Sequence, residues 1–371
     1  MMMKNIIIIV SAMNLGGAQR VVTILCDYWS KKGYIVTLIS TYTGDKANHY
    51  PANKDVHLKF LSNSPILAGN KFINLSWKLV SLRRIIKNIN PDVTISFLTR
   101  VNIASAISTI GLKTSLVLCE RTWTPFASLN HRFFWLYKIL FINISKIIVQ
   151  TDKSKTWMEE YFPNSTVEVI PNPIEYPLPL DSERSIEPNS LIAPNNKIIL
   201  ASGRLHKYKQ FDILINAFSN IYKDYNEWCL VILGDGEEKE SLRRLISDLK
   251  INERVLLPGS VGNVSEWYER ADLFVLCSKV EGFPNVLLES MSYGLPCISF
   301  DCDTGPRDMI EHEVNGLLVN PEEKELGLIK ALTKMINNDD LRNDFSSKSI
   351  LLRDKYAVKN IMQVWDKALK L

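Results

Sequence analysis

The chain has 371 residues, 46% of them hydrophobic and 23% charged, with a formal net charge of +4. This ordinary globular composition excludes a disordered or low-complexity chain, and at roughly 100–200 residues per domain the length suggests two domains. The charge is uneven: residues 1–180 carry 20 Lys and Arg against 10 Asp and Glu, and residues 181–371 carry 24 against 30.

The N-terminal run MMMKNIIIIV is short, and polar Asn14 and the Gly16-Gly17 pair follow at once, so it is predicted as a first buried strand rather than a signal peptide. No uninterrupted apolar run approaches the ~20 residues needed to span a bilayer. Further short apolar runs fall at 34–40, 56–61, 92–98, 114–120, 146–151 and 167–172. A second series falls at 197–203, 228–234, 255–259, 273–278 and 296–301. Runs without polar alternation belong to strands covered on both faces, hence to parallel sheets with crossover helices. Two such series in tandem predict two doubly wound α/β domains. Residues 171–196 hold six prolines and little periodicity, which reads as an extended connection. The expected boundaries are a first domain over 1–178, a linker over 179–196, a second domain over 197–350 and a C-terminal helix over 351–371 that buries Trp365. Cys26, Cys119, Cys229, Cys277, Cys297 and Cys302 form no C-x-x-C pair and stand at no zinc-ligand spacing, as expected of reduced core residues in a cytosolic protein.

Three segments carry chemistry. Gly16-Gly17 follows the first strand and opens a helix, where backbone amides attract anions; a plain strand-to-helix turn is the alternative. The third glycine of a dinucleotide fingerprint is missing, so no nicotinamide or flavin cofactor is expected. Gly203-Arg204, with Lys209 five residues on, follows the first strand of the second series. Two cations at a strand's carboxyl end suit a pyrophosphate leaving group, although either alone is equally a solvated surface charge. Glu281-Gly-Phe-Pro-Asn-Val-Leu-Leu-Glu289 follows the strand near 273–278. Pro284 is expected at the first helical position, with the amides of Asn285, Val286 and Leu287 aimed at phosphate. Glu289, inside that helix, is placed to accept two hydrogen bonds from a vicinal diol such as ribose.

Gly203-Arg204 with Lys209, Gly234-Asp-Gly236, Glu281 to Glu289 with seven residues between, and Asn315-Gly-Leu-Leu-Val319 together resemble glycosyltransferase family 4, retaining enzymes with the GT-B fold. The resemblance is strongest over about 197–320 and extends to the first half through Gly16-Gly17 and Asn172. It implies two Rossmann-like domains with an interdomain cleft and a final helix that returns to the first domain. Arg204 and Lys209 would bind the donor pyrophosphate, Glu289 the ribose, and Glu281 would face the transferred sugar. Gly16, Gly17 and the amides of Asn285 and Val286 would contact phosphate, and residues near Gly259 the base. The donor is expected to be a UDP-sugar, with no cofactor and no metal.

One departure stands out. Many members carry a histidine where this chain has Glu120-Arg121, as a subset resembling bacterial enzymes of polysaccharide and lipid-linked glycan synthesis does. Glu120 would take the catalytic position and Arg121 the acceptor side, the alternative being a core ion pair between them. Asp301-Cys-Asp303 spells the D-x-D of metal-dependent transferases, but Arg307 follows closely and the cation pair makes a metal redundant. None of the five histidines is a convincing base. Residues 72–89, with Arg83, Arg84 and Lys87, and residues 130–149, with Arg132, Lys138 and Lys146, read as buried crossover helices or as a basic, lipid-facing acceptor side. The expected partners are a nucleotide sugar, a polyprenyl-pyrophosphate-linked or glycan acceptor and the cytoplasmic face of an anionic membrane, but no nucleic acid. A sugar-nucleotide epimerase on the same fold and a non-catalytic nucleotide-sugar-binding partner stay open as alternatives.

Overall fold

The run Asn5–Val10 forms strand β1, with Ile6 to Ile9 wholly buried. The structure, a computed structural model, describes residues 4–13, 16–41, 53–61, 71–123, 137–141 and 144–371. Around β1 lie β2 (Ile35–Ser40), β3 (His57–Phe60), β4 (Val93–Phe97), β5 (Ser115–Cys119), β6 (Lys146–Val149) and β7 (Thr166–Val169), in the order β3-β2-β1-β4-β5-β6-β7. A second sheet holds β8 (Lys197–Ser202), β9 (Trp228–Leu233), β10 (Val255–Gly259), β11 (Leu273–Leu276), β12 (Cys297–Phe300) and β13 (Leu317–Val319), in the order β10-β9-β8-β11-β12-β13. All of these pairings are parallel. The twelve runs read from the sequence are strands. The thirteenth strand, β13, lies inside the Asn315–Val319 motif and is three residues long, too short to show as a run.

Each sheet grows one way from its first strand and then reverses, between β1 and β4 in the first and between β8 and β11 in the second. Loops leaving adjacent strands diverge at such a switch point and open a crevice at the carboxyl ends, where open α/β sheets take their ligands.

The chain divides into a unit of residues 1–173 with 358–371 and a unit of residues 174–357. The segment 179–196, expected as an extended linker, is bound into the second unit. Asp181 N donates to Gly262 O at 3.0 Å, the Asn263 side chain bonds both the amide and the carbonyl of Ile186, and Trp267 Nε1 donates to the same carbonyl. Its prolines fix an extended path, and side chains from another element satisfy the amides and carbonyls that no ladder takes.

Helix Val358–Leu369 belongs to the first unit. Ile361, Met362, Trp365, Ala368 and Leu369 recur at helical spacing and are buried. Trp365 meets Trp29 edge to face at 6.1 Å, and the Asp366 carboxylate accepts from Trp29 Nε1 (2.9 Å) and Lys32 Nζ (2.6 Å). Complete burial of an aromatic residue of this size is worth about 1.5–3 kcal/mol or more, so the helix is a structural part of that unit.

Candidate active site

In the second unit the loops after β8 and β9 lie backbone against backbone. A Cβ on Gly234 would come within 1.9 Å of Gly203 O, and one on Gly236 within 2.3 Å of Leu205 O. The glycines of Gly234-Asp-Gly236 are therefore demanded by close approach, which fixes the path of the Gly203-Arg204 loop. A 3-10 turn, Lys207–Lys209, follows, capped by His206 through Nδ1 to the Tyr208 amide. His206 thus serves the turn. Arg204 points outward, 70% exposed in its side chain, and meets Glu237 at 3.2 Å. An ion pair that open to water holds its partners weakly, so the guanidinium is available to a ligand.

Lys209 takes the opposite course. Its side chain is largely buried and Nζ lies 2.5 Å from Glu281 Oε1, which joins the loop after β8 to the loop after β11 across the switch point. The Glu281 loop is held in turn by the next one: the buried Thr304 hydroxyl donates to Glu281 O, and Gly305, at φ +96°, packs so tightly that a Cβ would sit 2.5 Å from Pro284 Cδ. Asp301 in that third loop is gripped in a two-point fork by Arg307, with Nε to Oδ1 at 2.8 Å and Nη2 to Oδ2. A carboxylate held this way has its charge neutralised and its lone pairs engaged.

Helix Asn285–Ser292 starts one residue later than expected: Pro284 is its N-cap, not its first residue. The Pro284 carbonyl receives the amides of Leu287 (3.0 Å) and Leu288 (3.2 Å). The expected phosphate donors therefore narrow to Asn285 and Val286, because the Leu287 amide closes the first turn. Glu289 is 4% exposed, and its Oε2 accepts from the Tyr268 hydroxyl at 3.2 Å. Gly259, at φ +98°, ends β10, where its carbonyl accepts from Gly234 N at 2.8 Å.

In the first unit Gly16 caps helix Gly17–Lys31, its carbonyl accepting from Arg20 N at 3.2 Å; Asn14 lies outside the described residues. Glu120 and Arg121, at the carboxyl end of β5, are both buried, but neither is satisfied by the other. The Glu120 carboxylate accepts from Thr99 Oγ1 (2.7 Å), Asn102 Nδ2 (2.7 Å) and Tyr137 OH (2.9 Å). Burial raises its pKa, and those three bonds and the Arg121 charge oppose the rise. Tyr137 is pushed well above the usual phenol value by burial and by that carboxylate. Arg121 Nη1 donates to Ile170 O (3.3 Å) and Asn172 Oδ1 (3.2 Å), and its guanidinium lies 5.1 Å from the Phe97 ring and 5.5 Å from that of Trp365. Its Nε and Nη2 are buried with no hydrogen-bond partner among the described residues. Burial lowers its pKa.

Arg83 and Arg84, grouped with Arg121 from the sequence, lie apart from it. They sit late in helix Lys71–Ile89, which leads into the start of β4. Arg83 Nη1 donates to Ile110 O (2.6 Å) and Ser108 O (3.1 Å), satisfying carbonyls at the end of helix Thr99–Thr109. Arg84 lies 5.8 Å from the Trp77 ring. Both are thus at the amino-terminal edge of the sheet, opposite the edge that carries Glu120. Arg132 and residues 130–136 lie outside the described residues.

Two family models cover nearly the whole chain: Glycosyltransferase Family 4 matches residues 15–176 and Glycosyl transferases group 1 matches residues 182–351. The chain belongs to glycosyltransferase family 4. An uncharacterized glycosyltransferase of Haemophilus influenzae is 29% identical over 351 residues, 94% of this chain and 95% of the relative. The N-acetylgalactosamine-N,N'-diacetylbacillosaminyl-diphospho-undecaprenol 4-alpha-N-acetylgalactosaminyltransferase of Campylobacter jejuni is 29% identical over 360 residues, 94% of each chain. Anabaena HepE in complex with UDP matches with a TM-score of 0.80 at 18% identity, over 99% of this chain and all of that one. That likeness is one of fold, and with the two parallel sheets it gives the glycosyltransferase the expected two-domain GT-B architecture.

Several residues around the family 4 motifs escaped the sequence reading. Tyr268, which holds Glu289, and Thr99, Asn102 and Tyr137, which surround Glu120, come from elements remote in sequence. No local pattern marks them; they become visible only when the strands are set side by side.

Proposed function

We propose that this glycosyltransferase moves a hexose or N-acetylhexosamine from a UDP-sugar to a hydroxyl of a lipid-linked or polysaccharide acceptor, with retention at the anomeric carbon. The observation that carries the reading is the Lys209–Glu281 pair at the β8–β11 switch point, ahead of the helix that opens at Asn285. Departure of the nucleotide breaks the C1–O bond to the diphosphate and gathers negative charge on the leaving oxygen. A lysine fixed in place, an exposed arginine and first-turn amides are groups that stabilise such charge without reorganising. Glu281, anchored by Lys209 and Thr304, is the carboxylate of the sugar side, and Glu289 that of the ribose.

Retention follows if the acceptor hydroxyl attacks from the face the nucleotide leaves. The new C1–O bond forms as the old one breaks, and the hydroxyl proton passes to the departing phosphate oxygen. No metal or cofactor enters this scheme. Support comes from the Asp301–Arg307 fork, which already occupies the first carboxylate of the D-x-D sequence. The donor is supported by the UDP held in HepE, and the acceptor class by the diphospho-undecaprenol substrate named for the Campylobacter relative.

Glu289→Ala is expected to weaken donor binding, read by titration with UDP, and undiminished affinity contradicts the ribose assignment. We place the enzyme at the cytoplasmic face of an anionic membrane. Among the described residues no helix is long and apolar enough to cross one, and the first 180 residues are strongly basic. Flotation with anionic liposomes, lost at high salt, is the expected result; binding indifferent to lipid charge and salt contradicts it.

A further inference from the structure

Tyr268 is 1% exposed on helix Val264–Arg270, and its hydroxyl lies over the first turns of helix Asn285–Ser292, 3.2 Å from Glu289 Oε2 and 3.5 Å from Val286 O. Two rings pack against its own, Phe274 of β11 edge to face at 6.0 Å and Tyr293 at 5.7 Å. Tyr293 is itself fixed, its hydroxyl accepting from Leu178 N at 2.8 Å. Arg353 closes the far end of the carboxylate's helix, with Nε (2.9 Å) and Nη2 (2.6 Å) both donating to Ser292 O. The phenol therefore reaches Glu289 from a frame built by four different segments of the second unit.

We propose that Tyr268 is a positioning residue for the donor nucleotide: its hydroxyl holds the Glu289 carboxylate in the rotamer that receives the vicinal diol of a ribose. A glutamate side chain has three rotatable bonds, and two hydroxyls on adjacent carbons are matched only when the carboxylate plane is set in advance. A carboxylate offers about four acceptor positions, so one bond from a phenol and two from a diol are compatible on one group. Tyr268 never touches the nucleotide in this arrangement; it acts through Glu289. The inference rests on the assignment of Glu289 to the ribose and deepens it.

Binding of UDP, 2′-deoxy-UDP and 3′-deoxy-UDP to the full chain, by calorimetry, separates the possibilities. The wild type is expected to prefer UDP over each deoxy analogue by roughly tenfold, the value of a hydrogen bond to a charged group. Tyr268→Phe keeps the ring and removes only the hydroxyl. It is expected to weaken UDP roughly tenfold while leaving the deoxy analogues nearly unchanged, so the preference collapses. Tyr268→Phe combined with Glu289→Gln is expected to bind UDP no worse than Glu289→Gln alone. A Tyr268→Phe variant that keeps the wild-type preference, or whose loss adds in full to that of Glu289→Gln, overturns the proposal. Glu289→Asp, which keeps the charge but withdraws it from Tyr268 by one methylene, supplies a test that does not depend on the tyrosine variant folding: it too is expected to lose the preference, and retention contradicts the proposal. A wild type with no preference at all removes the ribose assignment first, and this inference with it.

Discussion

Lys209 Nζ and Glu281 Oε1 lie 2.5 Å apart, and the two residues follow adjacent strands, β8 and β11, on either side of the point where the sheet reverses its order. If the lysine serves the leaving pyrophosphate, Lys209→Ala should lower kcat by about 10²–10³, the usual cost of removing one electrostatic catalytic group. The double variant Lys209→Ala, Glu281→Ala should be no faster. Were the pair only a structural ion pair, removing both charges would recover activity relative to the single variant, and steady-state kinetics on the three proteins decides between the two.

Arg204 gives the contrasting case. Its partner Glu237 is also open to water, so the pair adds at most about 1 kcal/mol to stability. Arg204→Ala should therefore unfold at nearly the wild-type temperature while losing turnover, and Glu237→Ala should change neither. Loss of stability in the arginine variant, seen by calorimetry, would contradict the assignment.

Gly234→Ala is expected to be costly although it adds one methyl group. The new Cβ would meet the Gly203 carbonyl at 1.9 Å, backbone that moves only if the Arg204 loop moves with it. About 1–3 kcal/mol of destabilisation is expected from overpacking of this kind. Weaker donor binding should accompany it, read by denaturant unfolding and by UDP titration.

Glu120 predicts a pH dependence whose sign follows from burial. Its folded pKa is raised above the ordinary carboxyl value, so the fold favours the protonated form. The stability this contributes is complete below the ordinary carboxyl pKa and is lost as pH rises through the raised one. Glu120→Gln cannot ionise. The wild type should thus lose stability relative to this variant as pH climbs above the ordinary carboxyl range, and parallel stability profiles would show that the carboxyl is not raised.

The parallel strands were legible in the sequence because burial on both faces writes itself as unbroken apolar runs such as NIIIIV and WCLVIL. The pairing of strand-end loops was legible in part, since Lys209 and Glu281 stand in the loops that leave β8 and β11. What escaped was whatever depends on a partner from elsewhere. The six prolines of residues 171–196 suggested an extended linker, yet Asn263 and Trp267 tie the segment down from a remote helix. Arg83 and Arg84 looked like neighbours of Arg121 because charge was counted along the chain, whereas a helix that leads into β4 carries them to the opposite edge of the sheet. Glu120 and Arg121, adjacent in sequence, point to different partners because successive residues leaving a strand face opposite ways.

Transfer from a UDP-sugar is measured most directly as nucleotide release across UDP-, GDP- and ADP-sugars in the presence and absence of a lipid-linked glycan acceptor. Release from a UDP-hexose or UDP-N-acetylhexosamine that requires the acceptor is the predicted result. Conversion of the sugar nucleotide without acceptor, or binding of UDP with no turnover on any acceptor, would contradict it.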